Sequence, residues 1–139
     1  MLDNSDTSLD EMISSVLAQH PLVKVGYLFG SACTARCGPL SDIDIAVLVD
    51  DGSARKACEG EIQDALCRAL RTGRVDLVSL SDAPSSLSYR VIREGRCVYC
   101  SERKAREAFE TDTVMRYLDF KPVREQAFRT SRKRILETA

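Results

Sequence analysis

Two residues, a ten-residue spacer and two carboxylates form the part of this chain best suited to chemistry. Gly30-Ser31 is followed, after residues ending in Ser41, by Asp42-Ile43-Asp44. An apolar run, Val23 to Phe29, leads into the glycine, and a second, Ile43 to Val49, carries the acidic pair away from it. A strand alternates its side chains, so Asp42 and Asp44 share one face. Ile43, Ile45, Val47 and Val49 point to the other, where they can pack against helices. Two carboxylates about 6–7 Å apart along a strand can share divalent metal ions. Without a cation they repel, and one tends to hold its proton. Gly30 lets an anion approach the backbone, a following helix N-terminus would present its amides, and Ser31 adds a hydroxyl donor. One element is thus suited to a polyphosphate and the other to its metal ions.

Phosphoryl-group chemistry with two metals calls for a third carboxylate. Arg74-Val75-Asp76-Leu77-Val78-Ser79 supplies Asp76 on a third apparent strand, able to lie beside Asp42–Val49 with its carboxylate on the same face. In that arrangement Asp42 and Asp44 bridge both metals. Asp76 holds the metal on the nucleophile's side and serves as general base. One ion steadies the leaving pyrophosphate, and the other activates a hydroxyl in line with the α-phosphorus. The candidate nucleotide-binding residues are Gly30, Ser31 and Ser41. The candidate catalytic and metal-binding residues are Asp42, Asp44 and Asp76. Either half of the pattern is weak alone, since acidic pairs near strand ends are often solvated turn residues. The joint order of strand, GS, spacer, SDxD, strand, helix and Asp-bearing strand is far more specific.

With those residues in place the chain resembles the minimal nucleotidyltransferases of the DNA polymerase β superfamily, whose signature is GS-x10-DxD with a later third Asp. Gly30, Ser31, Asp42, Asp44 and Asp76 match it position by position. Arg116-Tyr117-Leu118-Asp119-Phe120-Lys121-Pro122 resembles the tail of its small stand-alone members, the MNT-type antitoxins that accompany a HEPN-domain ribonuclease toxin. The resemblance implies transfer of AMP from ATP to a tyrosine of that toxin, with two Mg²⁺ or Mn²⁺ ions, in a hetero-oligomer. One position departs from the pattern: Ala35 stands four residues after the serine, where many members carry glycine. A left-handed backbone there would be strained, whereas a short helix accepts alanine better than glycine.

The elements around these residues follow from periodicity. Leu9, Met12, Ile13, Val16 and Leu17 recur at helical spacing behind Thr7 or Ser8 as N-cap, and His20-Pro21 ends that helix. Leu22–Phe29 and Asp42–Val49 read as strands. Ala54–Leu70 reads as a helix with Ala57, Ile62, Ala65, Leu66 and Ala69 on its apolar side, closed at Gly73. Val75–Ser79 is a third strand, a short helix runs through Leu87, Val91 and Ile92, and Arg96–Cys100 is an edge strand. Ser101–Leu118 is a helix, followed beyond Pro122 by another to Leu136. The expected fold is an α/β (α+β) nucleotidyltransferase core: a small mixed sheet, helices on one face, the active site on the other and a helical C-terminal tail. It forms one domain over 1–139, with a catalytic core at 1–100 and the tail at 101–139.

Composition sets the remaining bounds. The chain has 139 residues, 44% apolar and 29% charged, enough for one core. No apolar run approaches the length that spans a bilayer, and the acidic start MLDNSDTSLDEM lacks a signal pattern, so a cytoplasmic location is expected. Net charge is −1, with 10 basic and 14 acidic residues in 1–100 against 10 and 7 in 101–139. Such a balance argues against strong nucleic-acid binding. The basic tail fits a solvated helix face, an acidic partner or a triphosphate. Cys97-Val98-Tyr99-Cys100 is a poor chelate on a strand, because i and i+3 face opposite sides, and free thiols are expected. Two other functions stay open. One is a nucleotidyltransferase of small molecules such as aminoglycosides, which would need a second domain or a dimer to build its acceptor pocket. The other is a non-enzymatic antitoxin that blocks its partner by binding.

Overall fold

In a computed structural model of the protein, residues 4–30, 42–50 and 52–119 are described. Ser31, the spacer with Cys33, Ala35 and Cys37, Ser41, and the final helix with Phe120 lie outside them. The order is α1 (Asn4–Ala18), β1 (Val23–Phe29), β2 (Ile43–Val49), α2 (Arg55–Leu70), β3 (Val75–Ser79), α3 (Ser85–Glu94), β4 (Arg96–Cys100) and α4 (Arg103–Asp119). The sheet runs β3-β2-β1-β4. β1 is antiparallel to both β2 and β4, while β2 and β3 are parallel and joined through α2. This is the mixed sheet the sequence predicts.

The layering is fuller than the expected single helical face. Ile13, Val16 and Leu17 of α1 and Cys58, Ile62 and Leu66 of α2 pack with Val23, Leu28, Ile45, Val47 and Val49 on one side. On the other, Val91 of α3 and Phe109 of α4 pack with Val25, Tyr27, Phe29, Ala46 and Leu80. Helices therefore cover both sides, and α3 and α4 share their side with the carboxylates. β1 explains this directly: Val23, Val25, Tyr27, Leu28 and Phe29 are all buried, the mark of a strand enclosed on two faces.

Three local readings change. α1 begins at Asn4, so Thr7 and Ser8 lie inside it rather than capping it. α2 ends through Arg71, which takes the left-handed conformation (φ 55°), not through Gly73. The amides of Arg71 and Thr72 donate to the carbonyls of Arg68 and Cys67 at 3.3 and 3.1 Å, satisfying the last turn. The buried side of α2 is Cys58, Ile62 and Leu66, with Ala57 exposed.

α4 is tied down by polar contacts. The Tyr27 hydroxyl donates to Glu110 at 2.7 Å, and Arg106 donates to the same carboxylate at 2.9 Å. Phe109 lies against Tyr27, ring centroids 6.3 Å apart. Tyr117, near the helix end, stacks on Tyr89 of α3 at 4.1 Å and 3°. The four described cysteines are free thiols, as expected. No helix among the described residues is long and apolar enough to cross a membrane.

Candidate active site

The acidic residues meet at one end of the sheet. Ile43 of β2 lies opposite Val75 of β3, so Asp44 lies opposite Asp76 in the next register position. Register partners on neighbouring strands point the same way, about 4.8 Å apart. On its other side Asp44 is paired with Phe29, the last residue of β1, which places Gly30 beside it. Asp42 precedes β2 and is exposed. The amide of Ile43 donates to the carbonyl of Arg74 at 2.8 Å, locking the start of β2 to the approach of β3. The strands thus converge Gly30, Asp42, Asp44 and Asp76, four of the six residues singled out by sequence. Ser31 and Ser41 lie outside the described residues.

Gly30 is glycine for two reasons. Its φ is +77°, where a side chain is strained. A Cβ there would also collide with the Asp44 carboxylate. The turn at the end of β1 is therefore folded directly onto Asp44.

The charge environment follows from this crowding. Burial first, then the carboxylates of Asp76 and Asp42, holds the Asp44 carboxyl above its ordinary range, while Arg90 of α3 pulls it down. An upward shift is the direction expected of a partly buried carboxylate beside two others. Asp42 faces Arg74, whose Nη1 lies 3.8 Å from its Oδ1. Among the described residues no three acidic, thiol or imidazole groups are gathered into a ready-made metal cage. The donor chemistry nevertheless suits a hard divalent ion: carboxylates at paired register positions, one of them energetically penalised for its charge. The CxxC pair does not join this site; Cys97 is half-buried on the α3/α4 side and Cys100 is exposed.

Sequence reasoning did not single out Arg74 or Arg90. Arg74 had a signal, since it stands two residues before Asp76 and so shares its side of the strand. Arg90 had none, because it stands on α3, which only the tertiary packing lays over the carboxylate side of the sheet.

Known structures share this arrangement of elements. A chain of the complex between tri-AMPylated Shewanella oneidensis HEPN toxin and MNT antitoxin superposes with a TM-score of 0.68 at 28% identity, over 91% of this chain and 98% of that one. A chain of a toxin–antitoxin complex with AMP-PNP gives 0.70 at 28% identity, over 88% and 97%. A chain of the MntA–HepT complex gives 0.66 at 28%, over 90% and 97%. No curated protein matches the sequence. The family model described as polymerase beta, nucleotidyltransferase, matches residues 11–104, a span that takes in Gly30 and all three carboxylates. The chain therefore belongs to the polymerase beta nucleotidyltransferase family.

Proposed function

We propose that this chain is an antitoxin adenylyltransferase that transfers AMP from ATP to a tyrosine hydroxyl of a HEPN-domain toxin and so silences it. The register that sets Asp44 against Asp76, with Gly30 folded onto Asp44, carries this reading. The likeness to a chain of a complex of AMPylated HEPN toxin with MNT antitoxin, and to a chain of a toxin–antitoxin complex with AMP-PNP, supports the substrate and the partner.

The roles of Gly30 and the three carboxylates follow from position, and those of Ser31 and Ser41 from their places in the sequence. Gly30, Ser31 and Ser41 bind the nucleotide, the glycine by admitting the polyphosphate close to the backbone. Asp42, Asp44 and Asp76 would hold divalent ions, two Mg²⁺ or Mn²⁺, which when bound would activate the hydroxyl and offset charge on the departing pyrophosphate. The acceptor oxygen bonds to the α-phosphorus, the bond to the pyrophosphate oxygen breaks, and the hydroxyl proton passes to the Asp76 carboxylate. Residues 1–100 form the catalytic core of a single domain over 1–139, and 101–139 is its C-terminal extension, which α4 opens. The folded partner supplies the acceptor in a hetero-oligomer in the cytoplasm, where ATP is present and thiols stay reduced.

The test is to incubate the protein and the product of the neighbouring gene with α-³²P-ATP and Mg²⁺, then resolve them by denaturing electrophoresis. Label on the partner, absent with Asp42→Ala, is the expected result. A tight complex without label would mean that the chain acts by blocking, and label on a small molecule instead would move it to that class of acceptor.

A further inference from the structure

β3 carries Asp76 at the edge of the sheet, where β2 is its neighbour on one side. The Ile43 amide donates to the Arg74 carbonyl and the Leu80 amide to the Val47 carbonyl, so Arg74 and Leu80 turn these backbone groups toward β2. Alternation along the strand turns those of Val75, Leu77 and Ser79 to the outer edge. α2 meets that edge with Arg55, Glu59 and Gln63, which stand four residues apart and share one stripe of the helix. Gln63 Nε2 donates to the Val75 carbonyl at 2.6 Å and to Cys67 Sγ, the next position of the stripe, at 3.6 Å. Both amide hydrogens are thereby used and the side chain is held in one orientation. At the other end of β3 the Ser79 hydroxyl donates to Glu59 at 2.6 Å and accepts from Arg55 at 2.9 Å. Arg55 also reaches Asp82 at 3.0 Å, in the turn that leads to α3.

A polar stripe is a poor way to stabilise a helix against a sheet. The Arg55 and Glu59 side chains are 11% and 13% exposed, and the attraction within so buried an ion pair is largely spent on its desolvation. What the stripe supplies is place. β3 has five residues, and parallel pairing to β2 sets its inner edge. Gln63 sets the outer edge at Val75, the residue before Asp76, and Ser79 is clamped at the far end. The Val75 and Leu77 side chains pack on the α1/α2 side of the sheet, so Asp76 points to the opposite side. Gln63 therefore cannot touch a substrate bound at the carboxylates. A shift of the Val75 carbonyl, however, moves the carboxylate next to it relative to Asp44.

We propose that Gln63 is a positioning residue for Asp76: by holding the Val75 carbonyl it fixes the outer edge of β3, and with it the place of the third carboxylate against Asp44. The assignment rests on the nucleotidyltransferase reading above, in which Asp76 takes the proton of the acceptor hydroxyl. It adds a residue of α2 that lies behind the sheet and outside the GS-x10-DxD pattern.

The experiment compares the full chain with Gln63→Met, which keeps the length of the side chain and removes its donors. Hydrogen exchange over residues 74–79, read by mass spectrometry without nucleotide, should quicken in the variant. With the partner and Mg²⁺-ATP, kcat for transfer should fall roughly tenfold, since a misplacement of about 1 Å can cost 100-fold, while KM for ATP stays within about twofold. Gln63→Lys returns an N–H donor at similar reach and should recover part of the rate. Ile62→Val, one residue away on the core side of α2, serves as the measure of stability alone. It should lower the melting temperature at least as far as Gln63→Met does and leave kcat within about twofold of the parent. Unchanged kcat in Gln63→Met overturns the assignment, and so does unchanged exchange over β3. An equal loss of kcat in Ile62→Val also overturns it, leaving Gln63 a structural role only. A parent protein that transfers AMP to no acceptor overturns the nucleotidyltransferase reading itself, and this assignment with it.

Discussion

Gly30 and Asp44 constrain each other, and both can be tested singly. Gly30→Ala puts a side chain into a left-handed backbone, costing roughly 1–2 kcal/mol, and drives its Cβ into the Asp44 carboxylate. Urea denaturation should show the loss of stability, and labelling of the partner should fall with it because Asp44 is displaced. Asp44→Asn should act in the opposite direction on stability. The folded state raises the pKa of this carboxyl, mainly by burial and then through Asp76 and Asp42. Its ionised form is therefore penalised, fully so above the folded pKa and not at all below the unfolded value of about 3.9. Without divalent ions the asparagine variant should melt above the parent at pH 7, and the difference should vanish as the pH falls to about 3. Added Mg²⁺ should raise the parent's melting temperature and leave that of the variant nearly unmoved. A parent protein indifferent to Mg²⁺ and Mn²⁺ would contradict a metal role for Asp44.

The strands were readable from sequence because their patterns are strong. β3 was found at its observed bounds, Val75–Ser79, and β4 at Arg96–Cys100, while β1 and β2 each start one residue later than the pattern suggested. The two-sided cover was missed although β1 announced it: Val-Lys-Val-Gly-Tyr-Leu-Phe has no polar alternation past Lys24, as a strand enclosed on both faces requires. Gly73 was an attractive stop for α2, but the chain turns at Arg71, where two backbone hydrogen bonds satisfy the terminal carbonyls. Contacts between distant elements have no local signal, and the Tyr27–Glu110 link spans 83 positions. That link gives β1 and α4 a measurable alkaline weakness. Burial, then the Glu110 hydrogen bond, pushes the Tyr27 phenol well above its ordinary value of 10.0. The unfolded chain ionises at about 10 while the folded one keeps its proton, so stability falls as pH rises beyond that point, by up to about 1.4 kcal/mol per unit. Tyr27→Phe should be less stable at pH 7 by about 1 kcal/mol and should lose this alkaline slope, as read by urea denaturation between pH 8 and 11. In the parent, absorbance titration should show one tyrosine that ionises only on unfolding.

The molecule keeps its chemistry and its stability in different places. The carboxylates occupy one end of the sheet, with Asp42 and Asp76 exposed, whereas the main core is built from Ile13, Leu17, Val23, Leu28, Ile45, Val47, Ile62 and Leu66. Substitutions at the acidic end should therefore disable transfer without unfolding the chain. This allows the two ways of restraining a toxin to be separated in one protein. The double variant Asp42→Asn, Asp44→Asn keeps the size of both side chains and removes both charges. It should co-elute with the partner on size exclusion as the parent does, yet label it at least roughly 100-fold more slowly, since charge aimed at a transition state is worth that much. Neutralisation should fail in cells that express the variant beside the partner. If the partner stays silent although it carries no label, binding alone suffices and the carboxylates serve some other end. If neither complex nor label forms, the acidic end itself is part of the docking surface. The expected separation places recognition elsewhere on the fold and leaves transfer to the end of the sheet where Gly30, Asp42, Asp44 and Asp76 meet.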